Sequence, residues 1–221
     1  MKICRNLYGF MWRSMDVNNC NTYFIDDDKR VLIDPGHARY FDHVEGELEA
    51  LGMGLNDIDL VLCTHAHPDH IEGVGALKRA GVPFAMHQAD WELTQAMLPA
   101  LGMSTQIDIN DYTPDFFLIN GDLHIGDIAL QVVHTPGHSP GSLCFYWPQN
   151  SVLISGDLVF KAGVGRTDLP GGDSRQLKQS IEHAASLPIA TLLPGHGDIV
   201  FGEKEVNANF NRIGQVYLDY I

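Results

Sequence analysis

The chain has few cations and no long apolar run, and these two shortages exclude several classes of partner. Lys and Arg number 14 against 28 Asp and Glu, which gives a formal net charge of −14. Because phosphate binding requires a basic patch, this balance argues against a nucleic-acid partner. No apolar stretch approaches the roughly 20 residues of a membrane-spanning helix, so we expect no membrane partner either.

Cysteine is also scarce, and its spacing excludes a disulfide framework or a Cys-based zinc site. The four cysteines, Cys4, Cys20, Cys63 and Cys144, form no CxxC pair. We expect buried free thiols at Cys63 and Cys144, with a Cys4–Cys20 disulfide as the alternative. The first residues lack the apolar core of a secretion signal, so we predict a reducing, cytoplasmic setting.

The length and the hydrophobic pattern predict one α/β domain over residues 1–221. Apolar residues alternate between short strand-like runs and helical three- and four-residue spacing. Predicted strands are 22–25, 30–34, 58–64, 83–87, four runs between 123 and 154, and 190–193. Predicted helices are 38–51, 71–80, 88–98, 176–187 and a last one carrying Val206, Phe210 and Ile213. Residues 103–120 look irregular, and they form either one wall of a substrate pocket or a structural connection.

The run His65-Ala66-His67-Pro68-Asp69-His70 places three imidazoles and a carboxylate between a predicted strand and a predicted helix. His65 and His67 project to one side if the loop is extended, whereas Asp69 and His70 turn elsewhere as the helix begins. Two ligand sets that point in two directions indicate two metal ions.

Three later residues share one local pattern, which is an apolar strand, then a glycine turn, then a possible ligand. They are His138 after Pro136-Gly137, Asp157 after Ser155-Gly156, and His196 after Pro194-Gly195. Glycine lets the backbone bend sharply at these points. Taken singly, each is weak evidence, because a His or Asp beside glycine is usually a turn residue.

The order and spacing of these motifs resemble the metallo-β-lactamase superfamily, from Ile33-Asp34-Pro35-Gly36 to His196. The resemblance implies an α/β, four-layer αββα sandwich with a metal site at one edge. It implies that His65, His67 and His138 bind a first metal, that Asp69, His70 and His196 bind a second, and that Asp157 bridges them. Asp69 and Asp157 are then the candidate catalytic residues. Asp34 either orients a ligand imidazole by a hydrogen bond without binding a metal itself, or it forms an Asx turn before Pro35-Gly36.

Imidazole nitrogens and carboxylate oxygens suit Zn²⁺, Fe²⁺ or Mn²⁺, and we expect two divalent ions, with zinc favoured. Such ions lower the pKa of a bound water, so a metal-bound hydroxide is the expected nucleophile. Ser139, Ser142 and Ser155 are then structural hydrogen-bonding residues.

The loop 163–172 helps to select a branch of the superfamily. Arg166 offers a cationic fork for a substrate carboxylate, or it braces the loop through Asp168. Glyoxalase II carries Lys and Tyr where Arg166 and Asp168 stand here, and it has an additional C-terminal helical domain. The chain therefore looks most like the short bacterial glyoxalase II-like hydrolases, and the expected substrate is a small anionic thioester or ester.

Two alternatives stay open from the sequence. The run Gly165-Arg166-Thr167-Asp168 also resembles persulfide dioxygenases of the same fold. These enzymes hold one Fe²⁺ with two His and one carboxylate, by position His65, His138 and Asp157. The second alternative is a metal-stabilised binding module without activity, although seven Cys-free ligands fit a closed structural zinc site poorly.

Overall fold

A computed structural model describes residues 1–14, 16–101 and 109–217, with only the backbone described for residues 98–101 and 109. The chain divides into two compact units. The first comprises Met1–Leu118 with Ile125–Ile128, and the second comprises Ile119–His124 with Ala129–Ile221. Each unit has its own sheet and its own buried core.

The first unit is built on a seven-stranded mixed sheet whose strands follow the order of the chain. Neighbouring strands from β1 to β4 are antiparallel, and those from β4 to β7 are parallel. The strands are β1 (Lys2–Cys4), β2 (Leu7–Phe10), β3 (Thr22–Asp26), β4 (Arg30–Ile33), β5 (Leu60–Leu62), β6 (Phe84–His87) and β7 (Phe116–Leu118). Because β4, β5 and β6 are parallel, the loops that follow them leave the same edge of the sheet.

The helices of the first unit connect its parallel strands. They are α1 (Asp42–Ala50), α2 (Pro68–Ile71), α3 (Val74–Arg79) and α4 (Gln88–Leu101), with 3₁₀ turns at Ala38–Tyr40, Leu55–Asp57 and Ile109–Tyr112. The helix α1 buries Val44 and Leu48, four residues apart, against the sheet residues Phe24, Leu32 and Val61. Apolar packing of this kind holds the unit together and leaves the strand ends for polar residues.

The second unit contains a six-stranded sheet in the order β15-β14-β11-β10-β9-β8, and a small hairpin of β12 and β13. Its strands are β8 (Gly121–Ile125), β9 (Ile128–His134), β10 (Leu143–Trp147), β11 (Val152–Gly156), β12 (Val159–Phe160), β13 (Gly163–Val164), β14 (Thr191–Pro194) and β15 (Val200–Phe201). The strands β11 and β14 are parallel, and β9 runs in the same direction because both β9 and β11 are antiparallel to β10. The carboxyl ends of all three strands therefore point the same way.

Two amphipathic helices cover this sheet, α5 (Ser174–Ala185) and α6 (Glu203–Val216). The Asp173 side chain caps α5 by accepting a hydrogen bond from the Gln176 amide. The buried residues of α5 are Leu177, Ile181 and Ala184, and those of α6 include Val206, Phe210 and Ile213. This spacing gives each helix one apolar face, which packs in the core of the unit.

Most predicted elements are confirmed, and the differences are local. The predicted helix 71–80 is wrong as one element, because it divides into α2 and α3 around Glu72 and Gly73. The helix predicted to end at residue 98 continues through Pro99 to Leu101. Part of the segment 103–120 is regular, since it contains a 3₁₀ turn and β7, while residues 103–108 lie outside the described residues.

All four cysteines lie in the described part of the chain and are free thiols, so the alternative of a Cys4–Cys20 disulfide is wrong. Cys20, Cys63 and Cys144 are buried, whereas Cys4 is partly exposed. Burial raises the pKa of the Cys63 thiol, and it raises that of Cys144 to about 12. Among the helices that the structure describes, none is both long and apolar enough to cross a membrane.

Candidate metal centre

In the first unit, the four predicted ligands lie together in the loop after β5 and in the helix α2. Pro68 occupies the first turn of this helix, where its missing N–H costs nothing, and His67 directly precedes it. The rings of His65 and His67 meet edge to face with centroids 4.8 Å apart, and those of His65 and His70 are 4.0 Å apart. The His70 Nε2 atom lies 4.0 Å from Asp69 Oδ2. The four predicted ligands of the first unit therefore lie close together.

Asp34, at the end of the neighbouring parallel strand β4, connects to this group through its buried carboxylate. Its Oδ1 accepts a hydrogen bond from the Thr64 amide at 2.7 Å. Its Oδ2 accepts one from Thr64 Oγ1 at 2.7 Å and lies 2.9 Å from His70 Nδ1. Asp34 also has a φ of +54°, a backbone conformation that Asp tolerates better than most residues. These contacts reach 30 and 36 residues along the chain, which favours the ligand-orienting interpretation of Asp34 over a local Asx turn.

The hydrogen bonds of Asp34 and Thr64 determine which ring nitrogen of two histidines carries the proton. The Asp34 carboxylate accepts from His70 Nδ1–H. Thr64 Oγ1 gives its own proton to Asp34, so it accepts from His65 Nδ1–H at 3.0 Å. When these rings are neutral, Nε2 carries the lone pair, and this is the form of imidazole that binds metals.

Asp90, on the first turn of α4, is a buried acid that the sequence did not single out. Its Oδ2 accepts a hydrogen bond from the amide of Ala66, the residue between His65 and His67, at 2.8 Å. The side chain is completely buried. The residue stands three positions after His87 in a polar stretch, and only the fold brings it to the loop between two predicted ligands.

In the second unit, the three remaining predicted ligands meet at the ends of β9, β11 and β14. The Asp157 Oδ2 atom lies 3.5 Å from His138 Nε2 and 3.4 Å from His196 Nε2. Asp157 and His196 follow parallel strands, so their proximity results from the pairing of β11 with β14. One carboxylate oxygen thus lies next to two imidazoles that the family resemblance assigns to different metals.

The loop after β13 fixes the orientation of His138 through its backbone. His138 Nδ1 donates to the Arg166 carbonyl oxygen at 2.7 Å, because a carbonyl can only accept. The lone pair is then on Nε2, the atom next to Asp157. A Cβ atom at Gly165 would overlap the Asp157 carbonyl oxygen and lie 3.1 Å from His138 Nδ1. The absence of a side chain at Gly165 is therefore what allows this close approach.

The Arg166 side chain pairs with Asp168 in the bidentate geometry that bracing of the loop predicts. Its Nε and Nη2 atoms donate to the two Asp168 carboxylate oxygens at 2.9 and 2.8 Å. This contact lowers the pKa of Asp168 to about 2 and raises that of Arg166. Both side chains are about two-thirds exposed. A substrate contact by Arg166 stays a prediction.

The three serines near the motifs make the hydrogen bonds of structural residues. The hydroxyls of Ser139 and Ser142 lie 2.7 Å apart and are buried. Ser155 Oγ donates to the Val159 carbonyl oxygen at 2.9 Å. These bonds are of the structural type that the sequence led us to expect, and the absence of a serine nucleophile stays a prediction.

The predicted ligands form one group in each unit, the first after β5 and the second at the ends of β9, β11 and β14. The donor atoms of both groups suit borderline divalent cations. Each group combines imidazole nitrogens with carboxylate oxygens, and the buried thiols lie outside the motifs. His65, His70 and His138 have Nδ1 hydrogen-bonded within the protein, which leaves Nε2 for a metal. Each group thus has the chemistry of a metal site. That all seven residues share one dinuclear site stays a prediction.

Comparison with known proteins places the chain in a family. The model of the metallo-β-lactamase superfamily matches residues 15–196, and the chain belongs to this superfamily, as the motifs predicted. Its fold is the metallo-β-lactamase fold, with mixed sheets and helices, and its relatives include metallo-hydrolases. The chain is 37% identical to the probable metallo-hydrolase YqgX of Bacillus subtilis, over 84% of this chain and 90% of that protein.

Two further relatives bear on the chemistry. The hydroxyacylglutathione hydrolase GloC of Haemophilus influenzae is 30% identical, over 86% of this chain and 91% of that protein. The crystal structure of TTHA1623 in a di-iron-bound form has a TM-score of 0.68 and 33% identity, over 82% of this chain and 89% of that one.

Proposed function

We propose that this protein is a metal-dependent hydrolase that cleaves a small thioester or ester, of the hydroxyacylglutathione hydrolase type. The observation that carries the proposal is the position of Asp157 Oδ2, at 3.5 Å from His138 Nε2 and 3.4 Å from His196 Nε2. A carboxylate in this position is suited to bridging two cations, because ionised Asp has two oxygens and about four lone-pair sites.

The proposed site holds two divalent ions, with zinc favoured and iron or manganese as alternatives. His65, His67 and His138 are the proposed ligands of one ion, and Asp69, His70 and His196 of the other, with Asp157 shared. When bound, such ions supply Lewis acidity and activate water for attack on an acyl carbon.

The protein's own contribution to this chemistry is to orient the ligands. Asp34 holds His70 directly and holds His65 through Thr64. The Arg166 carbonyl holds His138. These partners keep Nδ1 protonated, so the rings need neither rotate nor lose a proton from that atom when a cation binds. Asp69 and Asp157 are the proposed catalytic carboxylates.

The proposed substrate class is supported by the names of the relatives and by the positive charge of Arg166. Relatives from three species bear the name hydroxyacylglutathione hydrolase, and two others are named as probable metallo-hydrolases. The proposed substrate is an anionic thioester, and its acid group is the proposed partner of Arg166. The proposed partners include neither nucleic acid nor membrane.

Metal analysis combined with two assays tests the proposal. Protein purified without added metal is analysed by atomic absorption and then assayed with S-lactoylglutathione and with glutathione persulfide. We expect about two ions per chain and thioester hydrolysis. One iron with oxygen uptake on the persulfide would instead establish the dioxygenase alternative, and bound metal with neither activity would indicate a binding module.

Replacement of Asp157 gives the sharpest test of the shared carboxylate. We expect Asp157→Ala to lose tight binding of both ions, and His196→Ala to weaken mainly one of them. Asp122→Ala is the matched control, because Asp122 is an exposed carboxylate of the same unit. If Asp157→Ala still retained two tightly bound ions, the bridging role would be wrong.

A further inference from the structure

The loop that joins β2 to β3 is described at residues 11–14 and 16–21, and one of its side chains contacts a proposed metal ligand. Asn18 Nδ2 donates a hydrogen bond to Asp69 Oδ2 at 2.7 Å, across 51 residues of sequence. Asp69 Oδ2 is also the atom that lies 4.0 Å from His70 Nε2. The amide therefore contacts the carboxylate on the side that faces another proposed ligand.

The loop on either side of Asn18 is anchored by its own hydrogen bonds. The side-chain oxygen of Asn19 accepts from the His37 amide at 2.8 Å, and that of Asn21 accepts from the Trp12 amide at 3.0 Å. Trp12 Nε1 donates to the Val17 carbonyl oxygen at 2.9 Å. With both flanks fixed, the position of Asn18 follows from the fold of the loop.

The chemical character of Asn18 suits a ligand-positioning role. An amide donates a hydrogen bond without adding charge, so Asp69 keeps its full negative charge for a cation, whereas Lys or Arg at this position would neutralise it. A hydrogen bond to one oxygen also leaves other lone-pair sites of the carboxylate for a metal. We propose that Asn18 is a positioning residue that holds the Asp69 carboxylate in the orientation required for metal binding. This inference rests on the proposed ligand role of Asp69.

The chain offers a matched control for this contact. Asn6 Nδ2 donates to Asp27 Oδ2 at the same distance, 2.7 Å, and both pairs lie at the surface. Asp27 belongs to none of the predicted ligand groups. Asn6→Ala therefore removes the same type of hydrogen bond from the same unit without touching a proposed ligand.

The experiment compares Asn18→Ala, Asn6→Ala and Asp69→Ala by metal titration against a chromophoric chelator, and by thermal unfolding of the metal-free proteins. We expect Asn18→Ala to weaken the binding of one of the two ions about 10-fold, as loss of an outer partner of a ligand does. We also expect a changed visible spectrum of its Co²⁺-loaded form. Asn6→Ala should bind both ions as the wild type does, and the metal-free Tm of the two Asn variants should agree.

Two results would overturn the inference, and a third would overturn the proposal beneath it. Wild-type affinity of Asn18→Ala for both ions would show that Asn18 does not position Asp69. A lower Tm of metal-free Asn18→Ala, with both ions weakened equally, would show a structural role. If Asp69→Ala itself bound both ions normally, the ligand role of Asp69 would be wrong.

Discussion

The position of Gly165 illustrates how strongly single residues constrain this site. The main chain passes so close to the Asp157 carbonyl oxygen that no Cβ atom fits, and the next residue supplies the carbonyl that orients His138. A methyl group at this point cannot be accommodated by rotating a flexible side chain, because the obstacle is backbone. The loop and the ligand must therefore separate if the residue becomes larger.

We accordingly expect Gly165→Ala to lower metal content and affinity while the far-UV circular dichroism changes little. Gly163→Ala, in the adjacent strand β13, is the control, because its Cβ would have only ordinary contacts with Phe160, at 3.6 Å and beyond. Both substitutions restrict the backbone of a glycine to the same extent. A difference in metal binding between the two variants therefore measures the effect of the clash at residue 165. Equal metal binding by the two variants would contradict the role assigned to Gly165.

At the scale of single elements, the strand pairing explains why the proposed ligands lie close together within each unit. The strands β4 and β5 are parallel and end at one edge of the sheet, and this pairing brings Asp34 to the 65–70 loop. The same argument applies to Asp157 and His196 after β11 and β14. The motif spacing also predicts the superfamily, which the comparisons confirm.

The supporting contacts are not predictable in this way. Asn18 and Asp90 lie 51 and 24 residues from their partners, in a loop and on a helix whose paths depend on tertiary packing. No periodic pattern marks either residue, because each is a single polar position. The division of the predicted helix 71–80 also depends on tertiary contacts, since the Gly73 amide donates to the Gly36 carbonyl oxygen at 2.7 Å and not within a helix.

Asp90 provides a prediction about the helix α4. We expect Asp90→Ala to destabilise the metal-free protein by about 1–3 kcal/mol, because the Ala66 amide loses its buried acceptor. Metal affinity should fall as well, since the loop between His65 and His67 loses its anchor. Urea unfolding and metal titration measure the two effects. Glu92→Ala, an exposed position on the same helix, should change neither, and an equal effect of both variants would contradict the argument.

The loop 163–172 provides a second prediction at this scale. If Arg166 binds an anionic substrate, Asp168 competes for it, so Asp168→Asn should lower KM for an anionic thioester and Arg166→Ala should raise it. For a neutral ester, KM should be the same in both variants as in the wild type. Loss of thermal stability in both variants without a change in KM would establish bracing as the role of the pair.

The pH dependence of this ion pair follows from the lowered pKa of Asp168. Its folded-state pKa of about 2 lies below the ordinary value of 3.8. The stabilisation that the ion pair gives the folded protein is therefore fully present above about pH 4. It is lost as pH falls through about 2. The effect of Asp168→Asn on KM should therefore be constant across the neutral range, which a pH series of KM checks.

At the scale of the whole molecule, the charge and the cysteines have separate consequences. The net charge of −14 makes a cationic side chain near the motifs noteworthy, and Arg166 is such a residue. The prediction of one domain over residues 1–221 stays a prediction, as does the cytoplasmic setting. The family match covers residues 15–196 and so includes every proposed metal ligand.

The cysteines support a prediction about chemical reactivity. Cys20, Cys63 and Cys144 are buried, and burial raises the pKa of Cys63 and Cys144, so little reactive thiolate forms at neutral pH. We expect a thiol reagent such as Ellman's reagent to modify one cysteine, Cys4, in the native protein and all four in denaturant. Rapid reaction of two or more thiols in the native state would contradict the burial of the other three.

This distribution of thiols has a practical consequence for work on the protein. A fluorophore or spin label with a maleimide group would attach to the natural chain at Cys4 alone, on the first strand. No cysteine has to be removed by mutagenesis beforehand, and none of the proposed ligands is a thiol that the reagent would consume. Binding of metal or substrate can then be followed by an optical or magnetic signal in an otherwise unaltered protein.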